Sequence, residues 1–370
     1  MRFRSSIFCL LTALFFCLSA KAQKTTDSTS TDSTKAKNLS FVALPLAFYL
    51  PETSLGFGAA GAMNFQFGGV SDSLKKSQVL FGGAYTLMKQ ILTYANYNLY
   101  AKQDRFWLKG EVGYYRYFYF FYGIGPKAKL ENEETYEVQF PRIRLDAMTR
   151  ITAKSYFGFR YIFDYYDMIK VQEGGFFDQH MVAGSDGGSI SGIGPLYILD
   201  TRDNVYSSRS GYKVEVSATL FHKATGSSFN YGQVNLDASW FKMPFKNYKH
   251  VFGAQIISEN QWGNVPFFGL SKVGSPKMMR GYYQGRFTDQ TQLAAQVEYR
   301  LPLFWKLESV LFASSAMIGK SFSDFKFSQA IPAYGTGLRI VLKEAERLKV
   351  RLDAAKGEQW NFYVTFNEAF

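Results

Sequence analysis

The chain alternates between apolar and polar residues over most of its length. In the stretch 212–220, apolar side chains occupy every second position, and Lys213 and Glu215 lie on the other face. The stretches 233–240 and 296–301 repeat this pattern. A period of two is typical of β-strands, and we see no shift toward the helical period of about 3.6. The pattern therefore predicts an all-β protein.

The length of the chain indicates how many strands to expect. Roughly 320 residues remain after an atypical N-terminal segment, and a strand with its turn takes roughly 20, so close to 16 strands are predicted. The predicted strands are 53–67, 76–88, 90–102, 105–119, 134–150, 153–168, 184–199, 210–224, 227–243, 247–262, 265–274, 290–303, 306–320, 331–345, 346–356 and 358–370. Residues 343–349 have helical composition but lie between two alternating stretches, so they are interpreted as a turn.

The first 40 residues differ from the rest of the chain. Two arginines precede a short apolar run, and the triplet 20–22 fits the small-x-small cleavage rule. Residues 1–22 are therefore predicted to be a signal peptide. Residues 23–40 are a low-complexity segment of Ser, Thr, Lys and Asp, which indicates a disordered periplasmic tether.

A soluble sandwich also alternates, so other features decide whether the sheet crosses a membrane. The predicted strands run about 10 to 15 residues, longer than the usual five or six of soluble sheets. Aromatic residues collect near strand ends, as in 114–122, where an interfacial girdle would need them. Hydrocarbon requires a closed sheet, because an open edge leaves backbone groups unpaired. With the export signal, these features predict that residues 41–370 form a transmembrane antiparallel β-barrel in the outer membrane of a Gram-negative bacterium.

Composition limits the chemistry and the partners. Both cysteines, Cys9 and Cys17, fall in the predicted signal peptide, which excludes a disulfide scaffold and a thiol nucleophile from the mature chain. Of the 42 basic residues, three lie in the predicted signal peptide, which leaves about 39 against 30 acidic ones, a net charge of about +9. In an exported protein this charge suits anionic lipid head groups rather than nucleic acid. The expected partners therefore include outer-membrane lipids, among them lipopolysaccharide, and exclude nucleic acid.

The sequence contains three histidines, His180, His222 and His250. No His pair or carboxylate cluster has the spacing of a metal site. Nothing in the sequence places a serine beside a histidine, as a hydrolase would need. A loop or interfacial position is the simpler interpretation of each histidine. No enzyme activity, catalytic residue, metal or cofactor is expected.

Two sets of residues near strand ends have structural interpretations. Asp200, Arg202 and Asp203 form a charged cluster that we expect to bind a turn or neighbouring strands. The last predicted strand alternates and ends on an aromatic residue. Phe366 and Phe370 are therefore predicted to form the C-terminal signal by which outer-membrane barrels are recognised for insertion.

Three stretches together resemble a known family. Residues 196–216 carry Asp-x-Arg-Asp, a turn and a Gly that opens the next strand. Residues 265–303 carry an Arg-Gly-aromatic element and a Glu-Tyr-Arg strand, and residues 334–370 complete the set. In order and spacing they are similar to the BamA/TamA-like outer-membrane barrels, also called the bacterial surface antigen family, over roughly residues 41–370. Residues 51–65 are similar to that family's first strand.

The resemblance implies a loop folded into the barrel lumen. Arg280, Gly281 and Tyr282 match the family's Arg-Gly-aromatic element, whose arginine contacts acidic residues of the inner wall. A guanidinium in a partly dehydrated lumen needs a bidentate carboxylate, and Gly lets the loop turn tightly. From the strand phases, Glu298 and Asp353 point inward and are the candidate partners. The simpler alternative is a solvated extracellular loop without a fixed partner.

The chain departs from the family in two places. Periplasmic POTRA domains usually precede the barrel of members that assemble outer-membrane proteins, and the predicted tether is too short for even one. Ser314 stands near the place where the family commonly has an aspartate on the thirteenth strand. We therefore expect one inner-wall partner of the loop to be missing and the loop to be held less firmly.

The resemblance implies a function in the insertion or assembly of outer-membrane proteins, or in polypeptide translocation. The partners would be nascent outer-membrane proteins or an assembly complex. The implied mechanism is a weakly paired seam between the first predicted strand, 53–67, and the last, 358–370. Gly56, Gly58 and Gly61 would loosen the packing there.

The alternative function is a passive or gated pore, or a structural barrel that anchors a partner. A large stable conductance would favour a pore, and a closed lumen would favour a plug. Basic residues that are expected to face the lumen, and would favour anions, are Lys213, Arg300, Arg339, Lys349 and Arg351.

Overall fold

The computed structural model describes residues 39–50, 54–67, 75–245, 249–344 and 347–370. The predicted signal peptide and residues 23–38 of the predicted tether lie outside these ranges. The strands are β1 (Leu39–Leu50), β2 (Ser54–Phe65), β3 (Ser77–Thr86), β4 (Ile91–Ala101), β5 (Phe106–Phe121), β6 (Glu134–Arg150), β7 (Ser155–Val171), β8 (Gly188–Asp200), β9 (Gly211–Phe221), β10 (Tyr231–Lys242), β11 (Val251–Gly263), β12 (Ser271–Val273), β13 (Phe287–Asp289), β14 (Thr291–Pro302), β15 (Leu307–Gly319), β16 (Ile331–Lys343), β17 (Leu348–Lys356) and β18 (Trp360–Phe366). The helices are short 3-10 turns at Leu130–Asn132, Lys223–Thr225, Phe267–Gly269, Phe322–Asp324 and Phe327–Gln329. Within the described ranges, no helix is long and apolar enough to cross a membrane.

The strands form one large antiparallel sheet in chain order. In the described part of the chain it has 16 strands, β1 to β11 followed by β14 to β18. β12 and β13 pair only with each other, in a second sheet of two strands. β11 pairs directly with β14, so the segment between them leaves the wall. The predicted fold class is confirmed: a transmembrane antiparallel β-barrel of 16 strands with an inward-folded loop.

The wall strands alternate between a lipid-facing and a lumen-facing side. On β14, Val297 is 43% exposed, whereas its neighbours Glu298 and Arg300 are 1% and 2% exposed. On β18, Phe362 and Val364 are 70% and 48% exposed. Apolar side chains face outward because hydrocarbon cannot solvate polar groups, and the polar side chains are collected inside. The period-two pattern of the sequence therefore gives the side of the wall on which a residue lies.

The first strand was missed by the pattern. β1 begins at Leu39, inside the predicted tether, and its sequence LSFVALPLAFYL is apolar on both faces. It contains Pro45, which a strand tolerates when it lies at the end of a sheet. The stretch predicted as the first strand is β2, which pairs with β1 on one side and β3 on the other. The glycines at 56, 58 and 61 therefore lie on the second strand, not on the end strand of the predicted seam.

The predicted strand at 265–274 was wrong. These residues leave the wall after β11, form a 3-10 turn at Phe267–Gly269 and enter the short strand β12. Val265, Phe267 and Val273 are at most 6% exposed, so their apolar character reflects burial in the lumen rather than contact with lipid. The predicted count of strands holds because this error and the missed β1 offset each other.

The aromatic run 114–122 does not form a simple girdle. Tyr114 faces outward and is 38% exposed, but Phe121 and Tyr122 are only 3% and 5% exposed. Tyr115 and Tyr119 pack against an aromatic cluster inside the barrel. That cluster is built by the wall strands β5 to β10, the connection between β7 and β8 and the segment after β11. It includes Phe121, Tyr136, Phe140, Tyr166, Phe177, Phe221, Tyr231, Phe267 and Phe268. Because successive side chains of a strand point to opposite sides, some aromatic residues of this run face lipid and others pack inside the lumen.

Candidate functional site

The segment 264–290, here called the lumen loop, turns back into the barrel between β11 and β14. Its two limbs pair as β12 and β13. Gly274 and Gly285 adopt positive φ angles of 102° and 90° at the two ends of the turn. At the tip, Met279 and Arg280 are 0% and 1% exposed. A loop tip this deeply buried is a fixed part of the interior.

Gly281 allows the tip to approach the wall. Its φ angle is 105°, in the left-handed region that favours glycine. A Cβ at this position would collide with the backbone N of Gly357 and would lie 2.8 Å from the carbonyl carbon of Lys356. Both partners belong to the end of the β17–β18 hairpin, so glycine is required by the contact between this hairpin and the loop.

Arg280 is held by two carboxylates from different strands. Its Nη1 donates to Asp353 Oδ2 at 2.7 Å, and its Nη2 donates to Glu298 Oε1 at 2.5 Å. Nη2 also donates to the Gln296 side-chain oxygen at 3.3 Å, and the guanidinium carbon lies 3.5 Å from the centre of the Phe312 ring. Charge-assisted hydrogen bonds and a cation–π contact together hold the guanidinium in a site from which water is excluded.

Neighbouring basic residues share the same carboxylates. Asp353 Oδ1 accepts from Arg339 at 2.6 Å, and Glu298 Oε2 accepts from Arg300 at 3.0 Å. Arg351 Nε lies 3.5 Å from Asp353. Buried charges are tolerated only when paired, and each carboxylate here contacts more than one cation. We call this set of residues the ionic cluster.

Glu368 extends the ionic cluster from a segment beyond the last strand. Its carboxylate accepts from Arg339 at 2.7 Å and from Lys349 at 3.1 Å. Its backbone N–H donates to the Tyr206 carbonyl oxygen at 3.3 Å, so residues 367–370 cross the lumen to the turn between β8 and β9. Sequence reasoning missed Glu368. The predicted last strand extended through this residue, whereas β18 ends at Phe366, so the alternation of the strand does not give the direction of the Glu368 side chain.

The basic residues expected to line an open anion channel are instead paired. Arg300, Arg339, Lys349 and Arg351 are at most 3% exposed within the ionic cluster. Lys213 Nζ lies 3.1 Å from Glu215 on the same strand, β9. Their inward direction matches the strand phases, but the lumen around them is filled with protein.

The position that lacks the family's aspartate lies on the inner wall. Ser314 on β15 is directly opposite Gln296 on β14. Arg280 nevertheless has two carboxylate partners, and Gln296 and Phe312 add contacts that the sequence did not reveal. The contacts of Arg280 therefore do not support the expectation that the loop is held less firmly.

The lumen loop also bonds to the last strand. The Gly281 N–H donates to Tyr363 Oη at 2.9 Å, and Asn361 Nδ2 donates to the Gly281 carbonyl oxygen at 2.9 Å. Tyr282 Oη donates to the Pro332 carbonyl oxygen at 2.8 Å. Asn361 and Tyr363 alternate with lipid-facing residues of β18, so their inward side was readable from the sequence, but their loop partners were not.

The charged cluster after β8 stabilises a turn. Arg202 donates two hydrogen bonds to Asp200, at 2.9 and 2.8 Å. Asp203 accepts from the Arg209 backbone N–H at 2.8 Å and from Arg347 at 2.6 Å, which joins this turn to the turn after β16. Burial alone would raise the pKa of Asp203, but these donors outweigh it and lower the pKa.

The two aromatic residues of the expected insertion signal lie in different settings. Phe366 is the last residue of β18. Phe370 lies beyond the strand, after Asn367, whose φ angle of 61° ends the extended backbone. The Phe370 ring stacks on Phe241 at 5.4 Å, and Arg300 approaches it at 5.6 Å. Phe370 therefore packs toward the lumen, and its expected place at the end of the strand was wrong.

The histidines have structural contacts. His222 accepts from the Ala224 N–H and caps a 3-10 turn, and His250 Nδ1 lies 2.7 Å from Tyr299 Oη. His180 lies 3.3 Å from Asp186 in an exposed loop. In the ranges that the structure describes, no group of three or more His, Cys, Asp or Glu residues is arranged to hold a metal ion.

Comparisons with known proteins agree on the fold. The Omp85 superfamily domain matches residues 48–370. The chain is similar to the crystal structure of BamA from Haemophilus ducreyi lacking POTRA domains 1-3, with a TM-score of 0.60 and 11% identity, over 90% of this chain and 69% of that one. It is also similar to CdiB from Acinetobacter baumannii, with a TM-score of 0.57 and 9% identity, over 90% of this chain and 60% of that one.

No curated protein sequence matches the chain significantly. The two structural similarities, at such low identity, describe the fold alone. The family match covers most of the chain and includes the lumen loop, the ionic cluster and the last strand. This outer-membrane β-barrel therefore belongs to the Omp85 superfamily.

Proposed function

We propose that this barrel assists the insertion or assembly of outer-membrane proteins. Membership of the Omp85 superfamily supports an outer-membrane barrel for protein insertion or polypeptide translocation. The observation that carries the finer proposal is the bonding of the lumen loop to the last strand, through Gly281, Asn361 and Tyr363. A passive wall strand would need no such internal support.

The end strands of the sheet suit a seam that can open. β1 and β18 are the first and last strands in the pairing order. β18 has seven residues, the fewest of the wall strands described, so its ladder with β17 is short. An edge strand offers unpaired backbone groups on which an incoming strand can form a ladder. The lumen loop would then govern how freely β18 moves.

The wall beside β1 has little side-chain bulk. Gly58, Gly61, Gly82 and Gly83 lie on β2 and β3, the strands that follow β1 in the sheet. Glycine has no side chain to pack, so it weakens a strand. This arrangement supports a client entering next to β1.

Expected partners follow from this proposal. Nascent outer-membrane proteins would approach the seam, and a larger assembly complex would hold the barrel on its periplasmic side. Lipids of the outer membrane, including lipopolysaccharide, would contact the apolar outer wall. Co-purification from detergent-solubilised membranes tests the complex directly.

A gated pore is the second candidate. An open depression of about 410 Å³ lies against the inner wall of β4 to β6, and its lining includes Asn98, Lys109, Glu111 and Arg144. Ions could use this space if the lumen loop and the aromatic cluster moved aside. A structural barrel that anchors a partner would have no need of such a space.

Depletion in cells separates these functions. If the barrel assists assembly, its depletion lowers the outer-membrane levels of other barrels, and re-expression of Arg280→Ala restores them only in part. Arg116→Ala is the matched control, since Arg116 pairs with Glu137 on the outer surface and is 34% exposed. Unchanged levels of other barrels after depletion would exclude the assembly proposal. A large conductance of the wild-type protein in planar bilayers would instead support the pore.

A further inference from the structure

A second arginine of the lumen loop has contacts that the family element does not explain. Arg286 follows Gly285 and precedes β13, and it is 4% exposed. Its Nε and Nη2 donate to the two carboxylate oxygens of Glu358, at 2.7 and 2.8 Å. Glu358 lies in the turn between β17 and β18. This is a bidentate pair, the strongest arrangement of a guanidinium and a carboxylate.

Arg286 also reaches the loop between β5 and β6. Its Nη1 donates to the Ala128 carbonyl oxygen at 2.9 Å. The guanidinium lies 4.9 Å from the Tyr122 ring centre and 4.4 Å from that of Phe287. One side chain therefore joins the lumen loop, the last hairpin and a loop from a distant part of the wall.

The contacts of Arg286 hold the turn of the β17–β18 hairpin. The tip of the lumen loop holds the same hairpin at a second place, on β18. Gly281 hydrogen-bonds to Asn361 and Tyr363 on β18, and the Tyr282 ring lies against Gly357. The ladder between β17 and β18 covers only seven residue pairs. Because β18 is short and the described sheet pairs it on one side alone, contacts with the loop have a large share in its position.

We propose that Arg286 is a positioning residue for the last strand: its pair with Glu358 clamps the β17–β18 hairpin to the lumen loop and limits opening of the seam. The clamp deepens the proposed function and rests on it, because opening of the seam matters only if the barrel assists assembly. The clamp is separable from the anchor at Arg280, whose carboxylates belong to the ionic cluster. The Glu358 side chain is 36% exposed, against 0% for Glu298 and Asp353, so the clamp is the more easily released of the two.

The accessibility of a cysteine on the hairpin measures how firmly the clamp holds, and it does not depend on whether the barrel assists assembly. Ala355 on β17 faces inward, is 0% exposed and packs with Tyr363. In full-length protein with Cys9 and Cys17 replaced by serine, an Ala355→Cys variant in lipid vesicles is alkylated with a membrane-impermeant maleimide. The rate reports how often the hairpin moves away from the loop. Folding of every variant is checked by heat-modifiable gel mobility.

Arg286→Gln and Glu358→Gln are each expected to raise the alkylation rate about tenfold. This corresponds to a decrease of about 1.4 kcal/mol in the free energy that favours the closed hairpin over the open one. The double variant is expected to be no faster than either single one, because the residues act through each other. Arg116→Gln, in the exposed pair with Glu137, is the matched control and leaves the rate unchanged.

Additive effects of the two substitutions, or rates equal to wild type in folded variants, would overturn the clamp. If Arg286→Gln does not fold, Glu358→Gln decides alone, because its side chain is partly exposed. Levels of other outer-membrane barrels are then measured in cells that carry the folded variants. Faster alkylation with unchanged levels keeps the clamp and removes its role in assembly, and unchanged alkylation removes the clamp. In both cases the depletion experiment decides the proposed function independently.

Discussion

Replacing Asp353 with asparagine removes one negative charge from the interior of the barrel and keeps the shape of the side chain. Asp353 accepts from Arg280 at 2.7 Å and from Arg339 at 2.6 Å, and Arg351 Nε lies 3.5 Å away. All four side chains belong to residues that are at most 3% exposed. The substitution therefore leaves three buried guanidinium groups around a neutral amide.

Asp353→Asn and Arg280→Met should lower the free energy of unfolding by different amounts. Removing one partner of a buried ion pair costs about 3–5 kcal/mol. After Asp353→Asn, Arg280 keeps Glu298 and Arg339 keeps Glu368, but Arg351 loses its neighbouring carboxylate and the excess of buried positive charge grows by one. After Arg280→Met, Asp353 keeps Arg339 and Glu298 keeps Arg300, so the loss is that of hydrogen bonds to charged groups, about 1.5–3 kcal/mol. We expect Asp353→Asn to lower the free energy of unfolding by about 1–2 kcal/mol more than Arg280→Met does.

Urea unfolding of the protein in lipid vesicles, followed by tryptophan fluorescence, measures both variants. Glu137→Gln is the matched control, since its partner Arg116 is 34% exposed and a surface pair contributes at most about 1 kcal/mol. The reasoning is refuted if Arg280→Met is as destabilising as Asp353→Asn, because the cluster would then not compensate for the loss of its arginine.

Three further predictions concern the loop and its surroundings. Gly281→Ala should release the loop tip to limited proteolysis, whereas Gly285→Ala, also at positive φ but with its nearest neighbour 3.7 Å from the added Cβ, should release it much less; equal effects would contradict a steric role. Tyr363→Phe, which removes the acceptor of the Gly281 N–H, should cost about 1 kcal/mol in urea unfolding, and no loss would contradict the bond. The pKa of Asp203 is lowered in the folded protein, so the stability from its link to Arg347 is present above the unfolded-state pKa and lost as pH falls through the lowered value. The difference in unfolding free energy between wild type and Asp203→Asn should therefore shrink on acidification, and a growing difference would refute the assignment.

Much of the wall was readable from alternation. Val297, Glu298 and Arg300 fall on the sides that their positions in the pattern indicate. The pattern failed where apolar residues have another cause. β1 is apolar on both faces, and residues 265–274 are apolar because the lumen loop is packed inside the barrel. A run of apolar residues does not by itself tell lipid from a protein interior.

The site was predictable in part. The inward sides of Glu298 and Asp353 follow from strand phases, and the family resemblance directed attention to Arg280. Glu368 and Arg286 could not be reached in this way, because neither belongs to a wall strand and neither has a phase. Their partners are set by how far a loop or a terminal segment folds back into the lumen.

The sequence alone determined that the chain is a β-barrel and, for most wall residues, which side they face, because a strand turns successive side chains to opposite sides whatever surrounds it. Only the tertiary structure decided which inward residues meet. Arg280 and Asp353 are 73 residues apart in the chain, and their contact depends on the register of the strands between them and on the path of the lumen loop. A contact across the lumen is a property of the whole wall and its contents, which no local stretch of sequence contains.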